Sequence, residues 1–229
     1  MDVIYPVRPG DKNDELRYSL RSLAENFPHD RVVIVGYMPP WVRNVEYIEG
    51  NKGPSTHANV YNNIRLAVER DDLSDRVVIF NDDFFVTEPV DAAPAAFRCS
   101  LDDHIRLPRV QRNGGWWLES LTLTRTCLQA HGIEKPISYE LHIPIEVDRR
   151  RMAEVLELFQ YVNPANPPQW RSLYGNLADH GGEQLKDVKC FDASALRRPF
   201  HSTEDRSFPR FHRELSKLFP EPSPYEAAA

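Results

Sequence analysis

Cysteine, glycine and long apolar runs are all scarce in this chain of 229 residues. The three cysteines, Cys99, Cys127 and Cys190, lie far apart with no metal-ligand spacing between them. That excludes a cysteine-ligated zinc module and a disulfide framework. An odd number of thiols is the usage of a reducing, intracellular compartment. The longest apolar runs, such as residues 32–35 and 77–80, fall far short of the ~20 residues that a membrane helix needs, so no transmembrane segment is expected. The opening stretch MDVIYPVRPGD carries neither a basic region nor an apolar core of signal-peptide length, and a cytoplasmic location is expected. Basic charge is also in short supply: 28 Lys and Arg stand against 34 Asp and Glu, and they are scattered. No nucleic-acid partner is expected from such a balance. What the chain has in excess is proline, nineteen against ten glycines, which predicts stiffened loops of the kind that carry functional sites.

The order of elements argues for an α/β fold. DVIYPV, residues 2–7, reads as a first strand. NDELRYSLRSLAENF then carries Leu16, Leu20, Leu23 and Phe27 at helical spacing, with Asn13 or Asp14 able to cap it. RVVIVG, residues 31–36, is a continuous β-branched run, the pattern of a parallel strand covered on both faces. PPWVRNVEYIEG is a connection with room for a short edge strand. Ser55 is placed to cap a helix bearing Val60, Ile64 and Ala67, and RVVIF supplies a third buried strand. Such alternation predicts a mostly parallel central sheet flanked by helices. The second half is less regular. Helices are expected over residues 117–130, 148–162 and 211–219, and a strand over DVKCF, residues 187–191. The whole of residues 1–229 reads as one domain, with residues 1–95 forming a nucleotide-binding half and residues 96–229 an acceptor-side half.

The stretch VVIFNDDFFV, residues 77–86, sets two adjacent carboxylates between apolar runs. Like charges so close repel, and burial of either is costly without a positive partner. In open α/β sheets ligands bind beyond the carboxyl ends of the strands. Asp82 and Asp83 sit at such an end, as does the RPGD loop after the first strand. A hard cation, Mn²⁺ or Mg²⁺, takes carboxylate oxygens and leaves positions for water and substrate phosphate. The plainer alternative is a helix cap and a solvated neighbour. His142 and His201 are each candidates for a third metal ligand, a diphosphate contact or a general base, against the alternative of a loop or core histidine. His57, at a helix start, is a candidate phosphate contact. Glu204 and Asp205 add carboxylates after His201. Trp116 and Trp117 offer one face to a sugar and one to the core. Arg8, Arg17, Arg21 and Arg171 are candidates for diphosphate recognition, with Arg21 expected on the solvated surface.

Four blocks in order then resemble the Stealth family of sugar-phosphate transferases. They are DVIYPVRPGD (residues 2–11), ELRYSLRSL with RVVIVGYMPPWV and VVIFNDDFFVTEPV (15–23, 31–42 and 77–90), LHIPIEVDRRRMAEVLELF (141–159), and HSTEDRSF with LFPEPSPYE (201–208 and 218–226). The first block is also similar to the opening of GT-A glycosyltransferases, to which Stealth enzymes look related. Compact proteins of this kind occur in actinobacteria and their phages. The resemblance implies a GT-A-like fold, with Asp11 near the nucleotide sugar, Arg17 on phosphate, Asp82 and Asp83 on metal and donor, His142 near the reacting centre, and Asp205 as a further catalytic or metal carboxylate. Two segments depart from the family pattern. Its opening tryptophan and serine are absent from residues 6–11, and an Asn-Asp-Asp-like core is replaced by Ser202, Thr203, Glu204 and Asp205.

The reading adopted is a metal-dependent glycosyltransferase. It would use a nucleotide-sugar donor, held by Arg8, Asp11, Arg17, Asp82 and His201, and a hydroxyl acceptor on a glycan, a lipid-linked sugar or a protein. His142 and Asp205 are its catalytic candidates, and Asp82 and Asp83 its metal candidates. Two alternatives stand beside it: transfer of a sugar 1-phosphate with release of a nucleoside monophosphate, and a non-catalytic sugar-nucleotide binding module.

Overall fold

A computed structural model describes residues 1–50, 53–189 and 195–227. The first half follows the alternation in the sequence. Strand β1 (Asp2–Val7) leads to helix α1 (Asp14–Asn26) and strand β2 (Arg31–Gly36). Strand β3 (Glu46–Glu49), helix α2 (Thr56–Val68) and strand β4 (Arg76–Ile79) follow. These four strands run parallel in the order β3-β2-β1-β4. Period-two alternation sends Ile4, Val33, Val35, Val77 and Ile79 to one face, where they meet Tyr61, Ile64 and Ala67 of α2. Val3, Tyr5, Ile34 and Val78 go to the other face, against Leu16, Leu20 and Leu23 of α1. Both sheet faces are therefore covered, as the uninterrupted β-branched runs require. Asn13 adopts a left-handed backbone (φ 32°), and its side chain accepts a hydrogen bond from the amide of Leu16. Ser55 caps α2 in the same manner through Ala58.

The second half adds shorter pieces. Strand β5 (Phe84–Val86) is followed by β6 (Ala96–Phe97), β7 (Cys99–Ser100), α3 (Leu101–Arg106), α4 (Pro108–Asn113) and α5 (Gly115–Ala130). Then come β8 (Ile137–Ser138), β9 (Ile145–Asp148), α6 (Arg149–Phe159), α7 (Trp170–Leu177), β10 (Glu183–Gln184), β11 (Phe200–Ser202) and α8 (Phe208–Leu218). Strand β9 joins the sheet antiparallel to β4, with Ile79 opposite Ile145. The sequence reading lacks this strand, because four residues that run straight into a helix leave almost no period-two signal. Of the strand expected over residues 187–191, Lys189 makes one bridge, to Ser202, and residues 190 and 191 lie outside the described residues, as does Cys190. Cys99 and Cys127 are free thiols.

Two pairings bring the C-terminal segment to the sheet. β11 runs antiparallel to β5, with Ser202 opposite Phe84 and His201 opposite Phe85. An isolated helix of α8's length is marginal in water; α8 is held by Phe211 and Leu215, which pack with Tyr18 and Phe85. No helix among the described residues is long and apolar enough to cross a membrane.

Candidate active site

The carboxyl ends of β1 to β4 open into a cleft of about 1240 Å³ whose far wall comes from residues 109–117, 140–142 and 167–171. Its floor is tightly built. Gly36, at the end of β2, has φ +110°, and a Cβ there would lie 2.5 Å from the carbonyl oxygen of Val7, so glycine alone fits.

Asp82 and Asp83 both line this cleft, and each uses one oxygen to reach the protein. Oδ2 of Asp82 accepts from Asn13 Nδ2 at 3.1 Å and faces Arg8 Nε at 3.8 Å. Oδ2 of Asp83 accepts from Lys189 Nζ at 2.5 Å and from Ser202 Oγ at 2.9 Å. Oδ1 of each accepts no hydrogen bond from a described residue. Burial and the neighbouring Asp83 push Asp82 up to about 6. Nearby, Glu15 is buried at the first turn of α1. It accepts from Thr203 Oγ1 at 2.8 Å and from Arg8 at 3.3 Å. Burial, with Asp83 and Asp82 adding to it, pushes Glu15 up to about 7. Arg8 reaches across to Asp205 with two nitrogens and holds that carboxyl below its ordinary range. The cleft floor thus gathers four carboxylates around Arg8 and Lys189.

That surplus of negative charge, together with two unused carboxylate oxygens, fits a hard divalent cation. Among the described residues no group of three His, Cys, Asp or Glu side chains comes together to hold a metal. A cation here would therefore complete its shell with water and substrate oxygens, which is the habit of Mg²⁺ and Mn²⁺.

On the opposite wall His142 lies edge-on to Phe84, with ring centroids 6.3 Å apart. Its Nδ1 is 2.9 Å from both carboxylate oxygens of Asp187, and Arg98 donates to the same carboxylate at 2.7 Å. Burial acts to raise Asp187, but His142 and Arg98 outweigh it and hold the carboxyl well below the ordinary range. Behind His142, the buried Arg171 donates to the carbonyl of Ile143 at 2.9 Å and lies over the rings of Trp170 (4.7 Å) and Phe84 (5.4 Å). Burial brings Arg171 down to about 10, with Glu140 opposing the change. Arg171 also lines the cleft.

The structure sorts the remaining sequence candidates. Arg8 and Asp205 line the cleft beside Asp82 and Asp83, and His142 lines it opposite. Asp11 stands just outside, bonded to the hydroxyl of Tyr37, which does line it. His57 forms part of the wall, edge-on to Trp116 at 3.5 Å and near Trp117 at 5.8 Å. Burial pushes it down to about 4, so it stands there as a neutral ring, without the charge a phosphate would favour. Arg17 is turned away from the cleft. It pairs with Glu226 at 2.8 Å and stacks over Trp41 at 4.3 Å. Arg21, expected in solvent, is instead mostly buried against Glu226 at 2.7 Å, because the chain end folds back over α1. His201 also lies outside the cleft. The β5–β11 register sets it opposite Phe85, and it is fully buried with Phe211 at 4.6 Å. Its Nδ1 accepts from the amide of Arg197 at 3.1 Å, and burial brings it down to about 4. It does not line the cleft, and its Nε2 has no hydrogen-bond partner among the described residues.

Three cleft-side groups escape the sequence reading. Glu15 looks like an ordinary acidic first-turn residue. Asp187 and Lys189 sit in a segment that reads as a strand, and nothing local marks either as a partner for His142 or Asp83.

No protein-family model matches the chain, and no curated protein sequence matches it. Solved structures do. The galactosyltransferase LgtC, in complex with donor and acceptor sugar analogues, superposes with a TM-score of 0.54 at 11% identity, over 96% of this chain and 95% of that one. An active-site mutant of LgtC gives a TM-score of 0.56 at 11% identity, over 95% of each chain. At such identity the likeness is one of architecture: a mostly parallel central sheet flanked by helices, the GT-A fold of LgtC.

Proposed function

We propose that this protein is a metal-dependent glycosyltransferase that moves a sugar from a nucleotide-sugar donor to a hydroxyl of a glycan, a lipid-linked sugar or a protein. The observation that carries the reading is one cleft with Asp82 and Asp83 on one side and a His142–Asp187 pair on the other. The fold shared with LgtC, a galactosyltransferase solved with donor and acceptor sugar analogues, supports it.

Oδ1 of Asp82 and of Asp83 would hold Mn²⁺ or Mg²⁺ together with the donor diphosphate. The cation supplies charge neutralisation for the departing nucleoside diphosphate. Arg8 stands beside the pair, and its guanidinium suits phosphate oxygens. Asp11 and Tyr37 mark the rim by the nucleoside half of the donor. The acceptor hydroxyl approaches from the wall of residues 140–142 and 167–171, where Nε2 of His142 takes its proton. The hydroxyl oxygen bonds to the anomeric carbon as the carbon–oxygen bond to the diphosphate breaks. Asp205 is the weaker candidate base, because Arg8 holds its carboxyl below the ordinary range. The setting proposed is the cytoplasm, without a nucleic-acid partner.

The same groups serve attack at phosphorus, which is the alternative that the order of the four sequence blocks favours. A panel of nucleotide sugars with Mn²⁺ or Mg²⁺, read by chromatography of the released nucleotide, separates the cases. Nucleoside diphosphate is expected, and it should vanish on chelation and in Asp83→Asn. Monophosphate would establish sugar-phosphate transfer. Donor binding with neither product would establish a binding module.

A further inference from the structure

Residues 185–189 run between the two walls of the cleft, anchored at intervals. The amide of Leu185 donates to the carbonyl of Phe97 at 2.8 Å. Val188 packs against the core cluster on the α1 side of the sheet. Lys189 bridges to Ser202 on β11. Between these anchors the two charged residues each engage a candidate group. Asp187 meets Nδ1 of His142 at 2.9 Å and accepts from its backbone amide at 3.1 Å. Two residues on, Lys189 meets Asp83 at 2.5 Å. Oδ1 of Asp187 also accepts from the amide of Lys189 at 3.3 Å, which ties the two contacts together.

We propose that residues 187–189 are a positioning strap that fixes the acceptor-side base and the donor-side carboxylate in one frame, Asp187 through His142 and Lys189 through Asp83. The inference rests on the glycosyltransferase reading and extends it to residues that touch neither substrate. A carboxylate on Nδ1 fixes the imidazole tautomer, so the lone pair of Nε2 is left for a substrate proton, and it stabilises the imidazolium that forms. Arg98, on Oδ2 of the same carboxylate, keeps Asp187 an acceptor rather than a proton carrier. Lys189 occupies Oδ2 of Asp83, so only Oδ1 is left to turn toward the cleft.

The test combines kinetics with nitrogen-detected NMR of the imidazole rings, in which the His142 signal is identified by its absence from His142→Gln. In the parent protein His142 should carry its proton on Nδ1. In Asp187→Asn that preference should be lost, and kcat should fall by about 10- to 100-fold, as for outer-shell partners generally, with donor KM little changed. Lys189→Met should lower kcat while the tautomer stays fixed, and Lys189→Arg should recover part of the loss. Groups that share one frame do not act additively, so the double variant should lose less than the product of the single losses. An unaltered tautomer in Asp187→Asn overturns the strap, as do multiplicative losses in the double variant. The tautomer is read without substrate. A wrong reaction would show as absent turnover in the parent protein, and a wrong strap as an unchanged ring signal.

Discussion

The two walls of the cleft are built on different scales of sequence distance. On the donor side, Asp82 and Asp83 come just after a buried parallel strand, which carries their backbone to the cleft. On the acceptor side, His142 is placed by Asp187, 45 residues further along the chain. The chemistry of the first wall is stated in a ten-residue stretch, even though Lys189 and Ser202 come from far along the chain to hold Asp83. The second is assembled by contacts across long loops. The two histidine candidates show the consequence: His142 is brought to the cleft with a carboxylate behind it, and His201 is turned into an aromatic core by its strand register.

That pair gives the largest expected effect. His142→Gln should lower kcat by about 10²–10⁴-fold, the usual contribution of a positioned acid or base, with little change in melting temperature. His201→Gln should do the reverse. It puts an amide among Phe85 and Phe211 with few partners, at a cost of about 1–3 kcal/mol, and turnover should survive. For a chain of this size the cost corresponds to roughly 2–4 °C in melting temperature per kcal/mol. Loss of turnover in His201→Gln at an unchanged melting temperature would break the division between the two rings.

The parallel half of the fold is legible in the sequence for a physical reason. β1, β2 and β4 are continuous apolar runs rich in Val and Ile, α1 and α2 carry their apolar residues at helical spacing, and Asn13 and Ser55 announce the helix starts. Each signal lies within the element it describes. The carboxylates are legible in the same way, since two charges between apolar runs need a partner. β9 is not, because four residues are too few to show a period. Neither is the fate of Arg17, Arg21 and His201. All three have residue types that suit phosphate or metal, and only tertiary pairing with Glu226 or Phe85 decides otherwise. Asp187, Lys189 and Glu15 are missed because their importance lies in what faces them.

A second prediction sharpens the donor side. Burial and Asp83 raise Asp82 to about 6, above the ~3.9 of an unfolded chain. The folded state therefore binds the proton more tightly. The contribution of this group to stability is fully present below about pH 4 and is lost as pH rises through about 6. Asp82→Asn removes the penalty at neutral pH and should stabilise the metal-free protein by about 1–3 kcal/mol at pH 7, a gain that disappears near pH 4. Mn²⁺ should raise the melting temperature of the parent protein by mass action and should do so less in the variant. Melting curves between pH 4 and 8, with and without Mn²⁺, check both signs. A variant that melts lower than its parent at pH 7 would mean that Arg8 and Asn13 already compensate the charge.

The smallest effect belongs to Arg17, and it tests whether the division between cleft and flank is complete. The resemblance of ELRYSLRSL to its family block places this arginine on phosphate, whereas its guanidinium pairs with Glu226 and stacks over Trp41. The side chain is 30% exposed, so the ion pair is partly screened and contributes about 0.2–1 kcal/mol. The stacking adds about as much. Arg17→Ala should therefore lower the melting temperature slightly, by an amount that shrinks as salt is added. Donor KM should stay at the parent value, because Arg8 rather than Arg17 stands beside Asp82. Donor titrations of the variant at low and high salt separate the two assignments. A large rise in donor KM at both salt concentrations would return Arg17 to the binding site and would require the segment around Glu226 to leave α1 when donor binds.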